Sequence, residues 1–324
     1  MPGLSRRSVL AGGIGVLAAA AAGVGYELVQ DGTLPGKYAL ARLDGACGSA
    51  PPAPAGPVPR RIEVTFRSAY RRREVQMITL IPAGAPAGRG SLGTVIALHG
   101  SGATAAVMAA QAGPAMTAAR VTGLAVICVD GGDTYWHRRA DGDDPIGMIL
   151  HEVLPRAAAA GLAAGRIGII GESMGGYGAL LLAERLAAAA RGSGGRTGAA
   201  GGPSATGASP AGAGPAVAAV AALSPAIFAS YADARAANPT SFDSPADFAR
   251  NDLLAGLGAL RAVPAWIACG QDDPFEPETA LLRARLSRLT GRPVPGGILS
   301  GCHDDAFWER NLPGALEFIA AHLG

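Results

Sequence analysis

Short apolar runs recur along this chain at intervals long enough for helices, and this alternation constrains the fold more than any other feature. The first run alternates polar and apolar side chains, as a half-buried strand does, and the second reads as its hairpin partner. The later runs are apolar on both faces, which is typical of buried parallel strands. The sequence therefore predicts an α/β fold with a mostly parallel central sheet covered by helices on both faces. The runs are Arg61–Phe66, Val75–Ile81, Thr94–Leu98, Ala125–Val129, Ile167–Ile170, Val217–Leu223, Ala265–Cys269 and Gly297–Leu299.

Composition agrees with one sizeable core. The chain has 324 residues, of which 49% are hydrophobic, and this is enough for a single α/β domain. Its formal net charge is +2 and only 16% of its residues are charged. Because no basic stripe with interleaved aromatic residues is present, we expect no nucleic-acid partner.

The first 25 residues resemble an export signal. Ser5–Leu10 contains a twin-arginine pair, an apolar run rich in Gly and Ala follows from Val9 to Val24, and Ala20–Ala22 offers a cleavage site. Residues 1–25 are thus predicted to be a twin-arginine signal peptide, which places the protein in an extracellular, periplasmic or cell-envelope location. The alternative is an uncleaved membrane anchor, and we expect membrane contact only through this segment.

Two segments are too poor in bulky residues to belong to the core. Residues 26–59 are predicted to be a linker, because Pro51–Pro57 is rich in proline, which lacks the amide donor that helices and inner strands need. The α/β domain is then expected at 60–324. Within it, residues 191–215 contain mainly Gly, Ala, Ser, Pro and Thr, and we interpret them as a surface insertion and not as a substrate lid.

Cysteine usage is compatible with export. There are four cysteines, an even number that permits disulfides outside the cytoplasm. Cys128 lies inside an apolar run and is expected to be a buried thiol. Cys47 lies in the linker, and we expect it to be bridged to either Cys269 or Cys302. The spacings do not fit a zinc site.

Ser173 is the candidate nucleophile. It occupies the centre of Gly171–Gly175, a Gly-x-Ser-x-Gly motif that follows a predicted strand and precedes the helical run Tyr177–Leu186. The motif acts only in that strand–turn–helix context, where the turn exposes the serine hydroxyl.

A serine hydroxyl needs a base, and the base needs an acid that orients it. His303 is the only histidine that follows the last predicted strand before the final helix, which is where the order Ser, Asp, His places the base. The acid should follow the penultimate strand, where Asp272 and Asp273 are adjacent. We favour Asp273, with Asp272 as the alternative.

The oxyanion of an acyl-transfer reaction needs two backbone donors. The amide of Met174 is expected to be one, and the amide of Ser101, in the loop after Thr94–Leu98, the other, with Gly102 as the alternative. We expect His99 to support that loop. Tyr135 and Trp136 are candidates for lining the substrate pocket, although core packing would explain them equally well.

Several segments together resemble an esterase family of α/β-hydrolases that includes S-formylglutathione hydrolases, feruloyl and enterochelin esterases, and bacterial mycolyltransferases. The resemblance covers roughly Arg60 to Gly324. It implies acyl-ester or thioester chemistry, with the triad on Ser173, Asp273 and His303. The segments are His99–Gly100, Gly171–Gly176, Leu223–Ala226, Asp272–Phe275 and His303–Trp308.

These observations predict an exported serine esterase that hydrolyses carboxylic esters or thioesters through an acyl-enzyme. The substrate would be a small-molecule or cell-envelope ester, and neither cofactor nor metal is needed. Two alternatives remain: a cell-envelope acyltransferase of the mycolyltransferase type, and a catalytically silent binding protein with the same fold.

Overall fold

The computed structural model describes residues 37–85, 88, 90–194 and 214–323. Its centre is one eight-stranded sheet. Each predicted apolar run forms one of its strands. The strands are β1 (Arg60–Ser68), β2 (Arg73–Ile81), β3 (Gly93–Leu98), β4 (Leu124–Val129), β5 (Ala163–Glu172), β6 (Ala216–Leu223), β7 (Ala265–Asp272) and β8 (Gly296–Cys302).

The strands lie in the order β1-β2-β4-β3-β5-β6-β7-β8. The predicted hairpin is confirmed, because β1 pairs with β2 in antiparallel orientation over its whole length. Strand β2 is also antiparallel to β4, and all pairs from β4 to β8 are parallel. The mostly parallel sheet that the sequence predicts is therefore present, and its carboxyl ends meet at one edge, where ligands bind in sheets of this type.

Helices connect the parallel strands. A π-helical turn at Ile149–Val153 joins the third helix to the fourth, and a 3₁₀ helix at Leu257–Ala262 follows the eighth. Within the described ranges, no helix is both long enough and apolar enough to span a membrane. The helices are α1 (Lys37–Leu43), α2 (Ala105–Ala118), α3 (Pro145–Met148), α4 (Leu154–Ala159), α5 (Met174–Gly194), α6 (Tyr231–Ala237), α7 (Pro245–Arg250), α8 (Leu253–Gly256), α9 (Glu276–Thr290) and α10 (Asp305–Leu323).

Both faces of the sheet are covered, as the apolar strands require. Successive side chains of β3 alternate between two cores: Val95 and Ala97 pack with α2 and α10 on one face. Ile96 and Leu98 pack with α5 and α9 on the other. The sheet thus forms the middle layer of three.

The segment before the domain differs from the sequence-based expectation, because it contains a helix. Strand β1 begins at Arg60, where the domain was expected to start. The preceding linker contains helix α1, which composition did not indicate. The signal segment at 1–25 lies outside the described residues. Of the low-complexity stretch, 191–194 complete α5 and 195–213 also lie outside them.

Candidate active site

Ser173 occupies the turn between β5 and α5. Its φ of 54° lies in the left-handed region, which costs a non-glycine residue of order 1–3 kcal/mol. Two hydrogen bonds hold this turn against the end of β6: the Ser173 amide donates to the Leu223 carbonyl at 2.9 Å, and the Ser173 carbonyl accepts from the Ala226 amide at 2.9 Å. The serine is 9% exposed, and its hydroxyl faces the imidazole of His303.

The two glycines of the motif allow the turn to form. A Cβ atom on Gly171 would collide with the carbonyl of Gly175, one turn further along the chain. A Cβ atom on Gly175 would collide with the carbonyl of Leu98 at the end of β3. The motif is therefore explained by close backbone approach at both positions, the feature that its strand–turn–helix context predicted.

His303 and Asp273 complete a hydrogen-bonded chain from the serine. The Ser173 hydroxyl oxygen lies 2.8 Å from His303 Nε2, and His303 Nδ1 lies 2.8 Å from Asp273 Oδ2. His303 directly follows β8 and Asp273 directly follows β7, so the carboxyl ends of three parallel strands, β5, β7 and β8, supply the three groups at the same edge of the sheet. This is the geometry in which a base can take the serine proton while the acid orients its ring.

The structure distinguishes the two adjacent aspartates. Asp273 is fully buried, and its second oxygen accepts a hydrogen bond of 2.8 Å from the Phe275 amide. Asp272 instead ends β7, opposite Cys302 in the β7–β8 pairing. The carboxylate that faces His303 is therefore that of Asp273, because a one-residue shift at the end of a strand turns the side chain to the other face.

Aromatic rings pack on both sides of the His303 imidazole. The ring of Phe275 lies 5.2 Å from it and that of Trp308 also 5.2 Å, both in edge-to-face arrangements. Phe275 continues into a cluster of rings through Phe228. Trp308 lies on α10, five residues after His303 in the chain.

Two backbone amides near Ser173 are free to act as oxyanion donors. Among the described residues the Ser101 amide donates no backbone hydrogen bond, and the Met174 amide, in the first turn of its helix, has no acceptor within that helix. Met174 is the first residue of α5, so its amide points out of the positive end of a long helix. Gly102, the alternative to Ser101, donates its amide to Asp133 Oδ1 at 2.6 Å. The geometry therefore favours Ser101 over Gly102.

His99 supports the loop that carries Ser101. It is completely buried, and its Nε2 accepts a hydrogen bond of 2.9 Å from the Gly131 amide. Its Nδ1 lies 2.7 Å from the Gly100 carbonyl and is thus the protonated nitrogen. Burial lowers the pKa of His99, so the ring stays neutral. It acts as a structural histidine, as expected.

Tyr135 and Trp136 lie in the hydrophobic core. Trp136 is completely buried and Tyr135 nearly so, and both belong to the cluster packed against α5. The indole fills the space left by Gly131 and Gly178, where any Cβ atom would overlap it. Of the two interpretations of this pair, the structure agrees with core packing. The sequence could not decide between them, because both require a large aromatic side chain.

Glu172 is a buried acid that the sequence analysis did not single out. It directly precedes Ser173, is 1% exposed, and its Oε2 has no hydrogen-bond partner among the described residues. Burial, with the nearby charges of Asp305 and Glu309, raises the pKa of Glu172 to about 8, against the opposing hydrogen bond from Gly100. The carboxyl group is thus mostly protonated at neutral pH. In the sequence, the one indication of this buried acid is that Glu172 is a charged residue at the end of an apolar strand.

Cys47 and Cys302 form a disulfide, while Cys128 and Cys269 are buried free thiols. The expected bridge from Cys47 is confirmed, and Cys302 is its partner. In the described part of the chain, the one group of potential metal ligands is Cys47, Cys302 and Asp304. Because both sulfurs are committed to the disulfide, this group is not a metal site.

Comparisons with known proteins establish the fold. No protein-family model and no curated protein matches the sequence. Solved structures do match: a ferulic acid esterase has 17% identity and a TM-score of 0.60, with 82% of this chain and 98% of that chain covered. The fluorophosphonate-binding serine hydrolase F of Staphylococcus aureus, with bound substrate, has 19% identity and a TM-score of 0.59, covering 82% and 99%.

An S-formylglutathione hydrolase from Agrobacterium tumefaciens has 15% identity and a TM-score of 0.60, with 82% of this chain and 95% of that chain covered. At these identities the similarity establishes the architecture alone. The chain therefore has the α/β-hydrolase fold, and its structural neighbours are consistent with the esterase family that its motifs resemble.

Proposed function

We propose that the protein is an exported serine esterase that hydrolyses carboxylic esters or thioesters through a covalent acyl-enzyme. One observation carries the proposal: Ser173 Oγ, His303 and Asp273 form a continuous hydrogen-bonded chain, with 2.8 Å at each step, on the strained turn of an α/β-hydrolase fold. A structural serine would need neither the strained turn nor a histidine oriented by a buried carboxylate.

In the first half of the reaction, His303 Nε2 takes the hydroxyl proton as Ser173 Oγ attacks the ester carbonyl. The amides of Met174 and Ser101 stabilise the oxyanion that forms. The carbon–oxygen (or carbon–sulfur) bond of the leaving group then breaks, and His303 gives its proton to the departing alcohol or thiol. Asp273 stabilises the imidazolium in between.

In the second half, water attacks the acyl-enzyme. His303 takes a proton from the water, the oxyanion forms again at the same amides, and the bond to Ser173 breaks. The proton returns to the serine oxygen, and the carboxylic acid leaves. The chain's own residues carry each of these proton transfers.

Export is part of the proposal on two grounds. Residues 1–25 have the twin-arginine pattern, and the Cys47–Cys302 disulfide is typical of oxidising compartments. The substrate would then be an ester outside the cytoplasm, either a small molecule or a component of the cell envelope.

Active-site labelling tests the nucleophile. We expect a fluorophosphonate probe to label the wild-type protein and the control variant Ser230→Ala, which changes only a helix N-cap, and not to label Ser173→Ala. Full labelling of Ser173→Ala would exclude Ser173 from this role. A catalytically silent binding protein would instead leave all three unlabelled.

A separate experiment tests whether water or an alcohol accepts the acyl group from the enzyme. It uses p-nitrophenyl esters of increasing acyl length. For a hydrolase, we expect release of free acid to continue when a sugar or alcohol is added at low concentration. Exclusive transfer of the acyl group to the added alcohol would identify an acyltransferase with the same nucleophile.

A further inference from the structure

The strand that positions His303 has little support from the sheet. Strand β8 is at the sheet edge, and among the described residues its one partner strand is β7. Its pairing shifts register between Gly270 and Asp272, next to the candidate active site. Gly296, Gly297 and Gly301 of this strand have positive φ values, and glycine-rich backbone loses more conformational entropy when it is ordered. These features leave the end of β8 with fewer backbone restraints than the inner strands have.

The chain segment before the domain supplies such a restraint. Residues 37–49, here termed the N-terminal brace, comprise α1 and the turn that follows it, and α1 packs against β7 and β8. The disulfide joins Cys47 of the brace to Cys302, the last residue of β8, across 255 positions. Cys302 directly precedes His303. The covalent link thus ends one residue from the candidate base.

A second contact reaches His303 itself. The guanidinium of Arg42, at the end of α1, donates a hydrogen bond of 3.1 Å to the His303 backbone carbonyl. The side chain of His303 is already held by Asp273 and by aromatic rings, and this bond holds its backbone. The brace therefore restrains the residue at the carbonyl and at the preceding Cα.

The brace is in turn fixed to the body of the protein. Arg310, on α10, donates hydrogen bonds to the carbonyls of Ser49 at 2.8 Å and Cys47 at 3.1 Å. At the other end of the brace, Tyr38 lies near Asp273 and Glu276. Partial burial and these two carboxylates raise the pKa of Tyr38. The brace is thus attached to α10 as well as to the end of β8.

We infer that the N-terminal brace is a positioning element for His303, so that turnover depends on Arg42 and on the Cys47–Cys302 disulfide. The inference rests on the proposed function only for its effect on turnover. Reduction by a dithiol would supply two electrons and two protons, giving two cysteine thiols and the oxidised cyclic disulfide of the reductant. His303 would then lose its covalent restraint, while the hydrogen bonds that hold Ser173 to β6 and Asp273 to the Phe275 amide would be unaffected.

Reduction of the full-length protein with dithiothreitol tests this, with a p-nitrophenyl ester as substrate. Thiol titration after denaturation should find two thiols per chain in the oxidised protein, those of Cys128 and Cys269, and four after reduction. We expect kcat to fall roughly tenfold while KM changes little, since a small displacement of a catalytic group affects the transition state more than substrate binding. Reoxidation should restore kcat.

Three variants separate the effect of the disulfide on turnover from the effect of Arg42. Cys47→Ser/Cys302→Ser should have the kcat of the reduced protein and no response to dithiothreitol. Arg42→Ala, with the disulfide intact, should lower kcat several-fold, and Arg42→Lys should recover part of the loss because it keeps a donor. Arg61→Ala is the matched control, since it removes an exposed arginine of β1 and should have no effect.

Hydrogen exchange gives a readout that does not require activity. Peptides covering residues 296–304 should exchange faster after reduction, and peptides from β3 and β5 should not. Unchanged exchange at 296–304 would overturn the inference that the brace restrains this segment. Faster exchange there with unchanged kcat would also overturn its role in positioning. If the oxidised protein neither turns over esters nor reacts with a fluorophosphonate, the proposed function fails, and the exchange measurement still decides whether the brace restrains the histidine loop.

Discussion

Asp273 is completely buried, and one of its carboxylate oxygens lies 2.8 Å from Nδ1 of His303, while the other accepts the amide of Phe275. Both oxygens of this carboxylate therefore have a defined partner. Asp272, its neighbour in the chain, ends β7 opposite Cys302 and takes no part in this arrangement. The pair offers a matched test of the candidate triad.

We expect Asp273→Asn to lower kcat by about 10⁴, because the amide favours the wrong histidine tautomer and does not stabilise the imidazolium. Asp272→Asn, an identical change one residue earlier, should lower kcat less than tenfold on the same scale. Steady-state kinetics with a p-nitrophenyl ester measures both. Equal losses in the two variants would mean that Asp273 does not have this role.

Removal of the base, His303, should lower kcat at least as much as the Asp273→Asn substitution does. We expect His303→Ala to lower kcat by roughly 10⁴ to 10⁶, the scale of other triad deletions. His322→Ala is the control, because His322 lies at the far end of α10, where its ring contacts Phe318. Near wild-type turnover by His303→Ala would exclude the triad.

Glu172 should make the free energy of unfolding depend on pH. Burial, followed by the charges of Asp305 and Glu309, raises its pKa from 4.5 to about 8. Between these values the folded protein keeps a proton that the unfolded chain has lost, so this group's contribution to stability decreases as the pH rises from about 4.5 to about 8.

Glu172→Gln keeps the size of the side chain and removes the titration. We expect its Tm to approach that of the wild type near the low end of this range and to exceed it by a few degrees near the high end. Thermal unfolding followed by circular dichroism across the range measures the difference. A constant difference between the two proteins at every pH would show that Glu172 does not keep its proton when folded.

Trp136 should matter for stability and not for substrate affinity. The indole is completely buried, so we expect Trp136→Ala to lower the free energy of unfolding by about 3–5 kcal/mol. Trp136→Phe should cost less, because it leaves a smaller cavity. Denaturant unfolding measures both changes. A large rise in KM with unchanged stability would instead place the side chain in the substrate pocket.

The sequence by itself determined the layered α/β architecture and the chain order of the candidate triad. Buried parallel strands must be apolar on both faces, and a turn as tight as that at Ser173 needs glycine at Gly171 and Gly175. These requirements are local, so they produce a pattern that can be recognised in the amino-acid sequence. The same reasoning located the base, because few histidines follow the last strand.

Only the tertiary structure decided which of two adjacent aspartates faces His303, which cysteine pairs with Cys47, and that Trp136 is a core residue. It also revealed α1, Arg42 and the buried acid Glu172. Each of these depends on contacts between residues far apart in the chain, such as the 261 positions between Arg42 and His303. No local pattern of hydrophobicity or spacing encodes such a distance, because it is set by how the strands and helices pack together.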